Sequence, residues 1–272
     1  MRVNAPRHSP LLPALVLALI TASQASVQAD AQTSHASTHP TITHLAGQAY
    51  LKTSPSPQVP PIPLASNHRL SPSSPLVGGS GNHLLLTTEK SLLEIALPRG
   101  ALIRFGQNTA VETSPRKIRL LQGSFLRHAE EEILFALSGK RSHAGVRLQK
   151  GSLMAQATSN GGLKIILLSG QAQIGTHADG AKTLRPGQLL FIKGAPAKFG
   201  DLYDLDLPLL LTTSRLVNAF PRPLPRQHHL KTSALIQQLN LKRSYQALIG
   251  DTPDDRTIQI WANRPDRNAS PP

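Results

Sequence analysis

The stretch LKIILLSGQAQI, residues 163–174, places two apolar runs of strand length on either side of Ser169-Gly170. The first run is rich in Leu and Ile, the second carries Ala172 and Ile174, and the length of both suits β-strands better than helices. Glycine tolerates a positive φ, which a tight turn between two strands needs. The stretch therefore predicts two strands, Leu163–Leu168 and Gln171–Ile174, joined by a turn at Gly170.

The same step from a glycine into an apolar strand occurs upstream, at Gly47, Gly123 and Gly151. Between residues 84 and 211, short runs of Leu, Ile, Val and Ala alternate with turn residues. Such spacing, about ten residues per run, predicts an all-β domain that is either a sandwich or a stack of hairpins. The intervals between the glycine steps are uneven, which excludes a solenoid with a fixed repeat.

The N-terminus has the three parts of a secretory signal peptide. Arg2 and Arg7 supply positive charge, Leu11–Ile20 is an apolar run, and the small residues up to Ala29 offer cleavage sites. The apolar run is too short to span a bilayer, which takes about 20 residues. We therefore expect an exported protein that resides in the periplasm or elsewhere in the cell envelope.

The composition changes along the chain and predicts a series of segments. They are a signal peptide (1–29), a disordered polar lead (30–43), the β domain (44–212), a proline-rich linker (213–230), a C-terminal amphipathic helix (231–250) and a tail (251–272). Thr232 or Ser233 suits the start of the helix, and Gly250 its end. The helix either packs on the β domain or docks on a partner or a membrane surface, so a peripheral membrane contact is one interpretation.

The chain is strongly basic, with 29 Lys and Arg residues against 15 Asp and Glu residues and a formal net charge of +14. Such a charge favours anionic partners, although it can also serve only to keep an exported domain soluble. The candidate residues for binding an anionic partner are Arg99, Arg104, Arg116, Lys117, Arg119, Arg127, Arg147 and Lys150. Nucleic acid is not expected as a partner, because single-strand binders add stacking aromatic residues and only Phe105 and Phe125 lie among these cations.

Short patterns follow one another through the β domain. They are Leu45–Tyr50 (LAGQAY), Leu92–Phe105 (LLEIALPRGALIRF), Ile118–Phe125 (IRLLQGSF) and Leu163–Ile174, the last followed by Thr183–Gln188 (TLRPGQ). With these patterns, the segment from about 43 to 194 resembles the extracytoplasmic domain of the FecR family. The resemblance implies an all-β fold and a binding role on the envelope side of the membrane.

The chain also departs from the pattern of that family. Pro98-Arg99-Gly100 stands where the family has Asp-Gly-Ser, and Lys150-Gly151-Ser152 stands where it has Arg-Gly-Thr. Typical members place a cytoplasmic sigma-factor-binding region and a membrane helix before this domain, whereas here the domain follows the predicted signal peptide. The resemblance therefore implies the fold and a binding role, not transmembrane signalling.

The sequence lacks the motifs of an active site. With no cysteine, disulfides, thiolate metal sites and a cysteine nucleophile are excluded. His35, His39 and His44 lie in or next to the polar lead, where no fixed frame would hold a metal ion, so no metal site and no cofactor are expected. His128 beside Glu130 is either an acid–base couple or the exposed end of a strand, and the second interpretation is preferred.

These observations together favour a binding module over an enzyme, with no catalytic residues. We expect an exported, non-catalytic domain that binds an envelope protein or an anionic envelope polymer. Two alternatives stay open: an envelope signalling regulator that acts through a partner membrane protein, and a glycan-active enzyme.

Overall fold

The computed structural model describes residues 39–53, 58–70, 83–114, 116–240, 245–249 and 258–262. Most of them are in strands, and the all-β prediction is confirmed. The strands are β1 (Thr41–Ala46), β2 (Ala49–Lys52), β3 (Ile62–Pro63), β4 (His83–Thr87), β5 (Leu92–Ala96), β6 (Leu102–Phe105), β7 (Ala110–Ser114), β8 (Lys117–Gln122), β9 (Ser124–Ala129), β10 (Ile133–Ser138), β11 (His143–Ala157), β12 (Leu163–Thr176), β13 (Gly180–Leu184), β14 (Gln188–Lys193), β15 (Lys198–Asp204), β16 (Tyr245–Ile249) and β17 (Ile258–Ala262). The helices of this part of the chain are α1 (Leu207–Thr213), α2 (Arg215–Asn218) and α3 (Gln227–Asn240), and a 3-10 turn spans Pro98–Gly100.

A fifteen-stranded sheet curls so that its two halves face each other. The first half-sheet has the order β1-β5-β6-β9-β11-β12-β14-β15, and the second has the order β3-β2-β4-β7-β8-β10-β11-β12-β13. Neighbouring strands are mostly antiparallel, whereas β8 and β10 are parallel. The amide of Ile42 in β1 donates to the carbonyl oxygen of His68 at 3.0 Å, which ties the first half-sheet to the segment that follows β3.

The long strands β11 and β12 belong to both half-sheets. Residues 143–149 of β11 pair with β10 and with residues 171–175 of β12, on the second half-sheet. Residues 151–157 pair with β9 and with residues 163–169 of β12, on the first. The two strands therefore stay paired with each other while they pass from one half-sheet to the other.

The passage between the half-sheets bends at two glycines. The register of β11 against β12 shifts between Gln149 and Ser152. A Cβ atom at Gly151 would overlap the carbonyl group of Ser169, and Gly170 has a φ of +81°. The predicted turn at Gly170 is therefore wrong, because the positive φ allows β12 to bend beside β11 rather than to reverse direction.

The main core lies between the half-sheets. Leu93, Ile103 and Phe125 enter it from the first half-sheet, and Leu120 and Val146 enter it from the second. On the second half-sheet, burial alternates along residues 143–149, as expected for strands with one face in solvent. On the central strands of the first half-sheet, which are β5, β6, β9 and residues 151–157 of β11 and 163–169 of β12, burial is nearly continuous, which indicates that both faces are covered there.

The second cover is a helical layer, defined here as residues 207–240 with α1, α2 and α3. Leu126, Met154 and Ile166 point out of the first half-sheet and pack against Leu210 and Leu230 of this layer. Burying such side chains contributes roughly 1.5–3 kcal/mol each, so the layer is an integral part of the fold.

The helical layer corrects two predicted segments. The predicted linker 213–230 contains α2 and the buried residues Phe220 and Leu224, so it packs as part of the domain and does not connect separate parts. The predicted helix 231–250 begins earlier, at Gln227, and ends at Asn240. Residues 245–249 (YQALI) form β16, which pairs with β17. Tyr, Leu and Ile favour strands, and the partner strand supplies the backbone hydrogen bonds.

Several predicted segments lie outside the described residues. They are the signal peptide 1–29, positions 30–38 of the polar lead, and positions 251–257 and 263–272 of the tail. At the other end of the lead, β1 starts at Thr41, somewhat before the predicted first strand. No helix in the described part of the chain is both long and apolar enough to cross a membrane.

Candidate ligand-binding face

The outer face of the second half-sheet carries no cover from the helical layer. Along β10 and β11, the side chains that point outward are exposed, among them Leu134, Ala136 and Arg147. Gln173 of β12 and Thr183 of β13 continue the same face. We call this surface, formed by β8 and β10 to β13, the open face.

A row of very small residues crosses the open face. In the register of the sheet, Ala136 of β10 lies opposite Gly145 of β11, Gly145 opposite Gly175 of β12, and Gly175 opposite Ala181 of β13. A Cβ atom placed on Gly145 would have no neighbouring atom within 4 Å. The row therefore forms a floor that lies lower than its surroundings.

The floor belongs to a groove of about 440 Å³. The groove is lined by Arg116, Leu134, Phe135, Ala136, Gly145, Val146, Arg147, Gln173, Gly175 and Ala181. Beside it, Arg147, Gln149, Gln171, Gln173 and Thr183 surround a smaller depression of about 140 Å³. The apolar floor is thus bordered by guanidinium and amide groups, which donate hydrogen bonds.

The open face is basic. Lys117 lies opposite Ala136 in the register of β8 and β10, so the cations of β8 extend the groove lining. Arg119 pairs with Glu112 at 3.1 Å, and Arg147 lies 3.8 Å from Glu132. Both ion pairs are partly exposed, and such pairs contribute little and exchange readily.

The structure brings half of the predicted binding residues together. On or beside the open face lie Arg116, Lys117, Arg119 and Arg147. Elsewhere in the fold lie Arg99, Arg104, Arg127 and Lys150. Whether the clustered set binds an anion stays a prediction.

The cations outside the cluster have separate environments. Arg99 lies in the 3-10 turn, where its exposed guanidinium pairs with Glu131 at 2.9 Å. Lys150 is exposed at the bend of β11. The guanidinium carbon of Arg127 lies 4.9 Å from the centre of the Phe135 ring, and burial lowers the pKa of Arg127 to about 10.

Arg104 is not a surface residue, because its side chain is completely buried beneath the helical layer. Its Nε donates to Glu94 Oε2 at 2.8 Å, and its Nη1 donates to the carbonyl oxygens of Leu216 and Val217, each at 3.0 Å. The guanidinium carbon also lies 4.3 Å from the centre of the Phe220 ring. Burial lowers the pKa of Arg104, and the negative charge of Glu94 opposes that shift. Arg104 therefore stabilises the contact between the sheet and the helical layer, and its guanidinium is not accessible to a ligand.

His128 lies in a second buried polar cluster under the same layer. Its Nδ1 is 2.9 Å from Ser152 Oγ and its Nε2 is 3.0 Å from Glu130 Oε1. The other carboxylate oxygen of Glu130 pairs with Arg226 at 2.6 Å. The expectation of an exposed strand end is therefore wrong, since only 1% of His128 is accessible.

The order serine, histidine, carboxylate matches that of a nucleophilic triad. A nucleophile must reach its substrate, however, and Ser152 has no accessible surface. Burial lowers the pKa of His128, while its contact with Glu130 opposes the shift. The neutral imidazole then bridges two polar neighbours, which is a stabilising role for a buried histidine.

The described residues contain no group of three or more His, Asp or Glu side chains placed to hold a metal ion. The feature that sequence reasoning missed is the row of small residues on the open face. The sequence signal was present, since Gly145 and Gly175 both sit at outward positions of alternating strands. Only the register of β11 against β12 places them side by side.

Comparison with known proteins adds distant similarities only. No protein-family model matches the sequence, and no curated protein matches it significantly. Two crystal structures of a candidate anti-sigma factor from Parabacteroides distasonis are distantly similar to the chain. The 1.65 Å structure is 11% identical with a TM-score of 0.37 and covers 44% of this chain and 59% of its own. The 2.50 Å structure is 10% identical with a TM-score of 0.39 and covers 67% of this chain and 100% of its own. This chain thus spans 59% of the length of the first, and at these values the likeness carries no argument about function.

Proposed function

We propose that the protein is an exported, non-catalytic FecR-like domain of the cell envelope that binds an anionic envelope polymer across the open face. The observation that carries this proposal is the groove, whose lining combines a floor of Gly and Ala with the side chains of Arg116 and Arg147. A floor without side chains lets an extended ligand approach the sheet closely, and the two guanidinium groups can hold carboxylates or phosphates.

The amide groups beside the groove extend the argument to the rest of the ligand. Gln149 lies opposite Gln171, and Gln173 lies opposite Thr183, on neighbouring strands. Amides and hydroxyls donate and accept hydrogen bonds, so they suit a polymer that carries hydroxyl groups as well as charge. An acidic polysaccharide combines both properties and is our probe for the ligand class.

Two further observations support the non-catalytic and exported parts of the proposal. The Ser152–His128 pair is covered by the helical layer and is inaccessible to a substrate. The charged start, the apolar run Leu11–Ile20 and the small residues up to Ala29 are typical of a secretory signal. Anionic polymers of the envelope would then be the charged surface that the folded domain meets first.

The test is binding of alginate, an acidic polysaccharide, by the full chain, with neutral dextran as the comparison polymer. The double variant Arg116→Gln/Arg147→Gln should bind alginate at least about tenfold more weakly, because a charge-assisted hydrogen bond contributes roughly 1.5–3 kcal/mol. Binding by the unmodified protein should weaken as salt increases, since exposed charges are screened. Arg99→Gln is the matched control, because it removes an equally positive exposed residue outside the open face.

Equal losses for Arg99→Gln and for the double variant would overturn the proposal, as would equal binding of dextran and alginate. A single envelope protein that binds stoichiometrically and without salt dependence, with no alginate binding, would favour the signalling regulator instead. Release of sugars from alginate would favour the glycan-active enzyme.

A further inference from the structure

The helical layer has a charge distribution unlike that of the rest of the chain. From residue 207 to residue 250 the sequence contains no Asp or Glu, although the whole chain has 15. The described part of this segment carries four exposed cations, which are Arg215, Arg222, Arg226 and Lys231. Arg226 pairs with Glu130 of the sheet, whereas Arg222 and Lys231 extend a surface with no carboxylate of its own.

One side of α3 is fixed against the domain. Leu230 and Ala234 pack into the core beneath the helical layer. Gln237 is buried, its Oε1 accepts from the Leu207 amide at 2.9 Å, and its Nε2 donates to the Gly187 carbonyl at 3.1 Å. The helix is therefore held in one rotational setting about its axis.

The opposite side of α3 combines one cation, Lys231, and imidazoles with two large apolar side chains. His228, Lys231 and Leu235 follow one another at spacings of three and four residues, so they share a face of the helix. Leu235 is 59% exposed and Ile236 is 55% exposed. Ile236 also lines a pocket with Arg185 and Asp204 of the sheet, so the helix itself supplies no negative charge but one carboxylate lies nearby. Adjacent exposed Leu and Ile side chains on a segment whose own charges are all positive suit a helix that lies in a membrane interface.

We propose that the helical layer docks on an anionic lipid bilayer. Leu235 and Ile236 enter the headgroup region, while Lys231 and Arg222 lie against lipid phosphates. The occupant is a lipid surface because an acid-free segment complements a continuous negative surface, and because the apolar pair needs somewhere to be buried. The proposal does not depend on the groove, which lies on the other half-sheet.

This placement gives the domain two proposed binding surfaces on opposite sides of the main core. The helical layer covers the outer face of the first half-sheet, and the open face is the outer face of the second, with the main core between them. A domain bound to lipid through α3 would therefore present the groove away from the membrane. Both surfaces could be occupied at once.

The test is co-sedimentation of the full chain with vesicles. One set contains phosphatidylcholine alone, and the other contains phosphatidylcholine mixed with phosphatidylglycerol. The unmodified protein should bind the mixed vesicles and not the neutral ones. The variant Leu235→Ser/Ile236→Ser keeps the net charge and should lose about tenfold in binding, because two inserted side chains are removed. Lys231→Gln should lose about fivefold, in line with one cation near an anionic surface.

Leu134→Ser is the matched control, because Leu134 is also a leucine, is 55% exposed and lies on the open face. It should bind the mixed vesicles like the unmodified protein. All of these positions are exposed, and circular dichroism would verify that each variant keeps its fold. The proposal is overturned if Leu134→Ser loses as much binding as the α3 variant, if neutral vesicles bind equally well, or if no vesicle binds.

Discussion

Arg104 and Glu94 form an ion pair of 2.8 Å between Nε and Oε2, on the face of the first half-sheet that the helical layer covers. The carboxylate accepts a second hydrogen bond, from the Thr43 hydroxyl at 2.6 Å. The guanidinium continues outward to the carbonyl groups at the end of α2. Three separate parts of the chain therefore meet at one buried pair of charges.

Removal of one member of this ion pair should destabilise the folded protein. Arg104→Met leaves the Glu94 carboxylate buried without its counter-charge and frees the α2 carbonyls, so we expect the free energy of unfolding to fall by about 3–5 kcal/mol. Urea unfolding followed by circular dichroism measures this loss. The double variant Glu94→Leu/Arg104→Met should recover a large part of it, because it removes both charges. Equal losses in the single and double variants would contradict this account.

The bend between the half-sheets predicts opposite effects for glycines of the same strand. Gly151→Ala should destabilise by more than about 3 kcal/mol, since the new methyl group would overlap the Ser169 carbonyl. Gly145→Ala should leave stability unchanged or raise it by up to about 1 kcal/mol, because nothing surrounds the new methyl group and the unfolded chain loses freedom. Thermal unfolding of both variants checks the pair. Similar midpoints would show that the bend at Gly151 is not required.

The free energy of unfolding should fall as the pH decreases below 6.5, the ordinary pKa of histidine. Burial keeps the pKa of His128 below 6.5 in the folded protein, while the unfolded chain protonates at 6.5. Below that pH the unfolded state binds more protons, so the free energy of unfolding decreases until the folded histidine protonates as well. Burial lowers the pKa of His83 too, which adds to the trend.

A carboxylate extends the same trend to lower pH. Burial alone would raise the pKa of Glu130, but His128 and Arg226 lower it below 4.5. The stability that this supplies above pH 4.5 is lost as the pH falls toward the folded pKa. Urea unfolding in the window from about pH 5 to pH 7 isolates the histidines, and His128→Gln should flatten that part of the profile. An unchanged slope in His128→Gln would contradict the role of this residue.

The groove can be filled without disturbing the sheet. Gly145→Val should be stable, because valine favours strands and finds open space, but it should reduce alginate binding by about tenfold or more by occupying the floor. Isothermal titration measures the binding. Ser138→Val on β10 serves as the control. A substitution at Gly180 would not serve, because its φ of +71° would strain any side chain. Full alginate binding by Gly145→Val would place the ligand elsewhere.

Local signals were enough to predict some elements. The pattern Leu92–Phe105 has two apolar runs around Pro98-Arg99-Gly100, and these runs form β5 and β6, which pair across that turn. Here everything that determines the turn lies within a few residues. The bend at Gly170 was misinterpreted because a glycine with positive φ serves a tight turn and a bend equally well, and only the partner strand distinguishes them.

The candidate site depended on long-range pairing. Arg116 and Arg147 share a groove because β10 lies between β8 and β11, and the parallel pairing of β8 with β10 has no local sequence signal. Arg104 was misplaced for a related reason. Its strand, LIRF, gives no sign that residues more than a hundred positions later would cover it. A clue was available in the nearly continuous apolar run of another strand of the first half-sheet, LKIILLS, because such runs are typical of a sheet covered on both sides.

The sharing of β11 and β12 by both half-sheets has a mechanical consequence. A sandwich of two independent sheets can lose one sheet while the other persists. Here both half-sheets contain β11 and β12, so a force applied to either half-sheet acts on the same two strands. Cleavage of the polypeptide would not separate the side of the helical layer from the side of the open face without breaking the pairing of β11 with β12. The domain should therefore melt in a single all-or-none step, and neither side should be obtainable as a fragment.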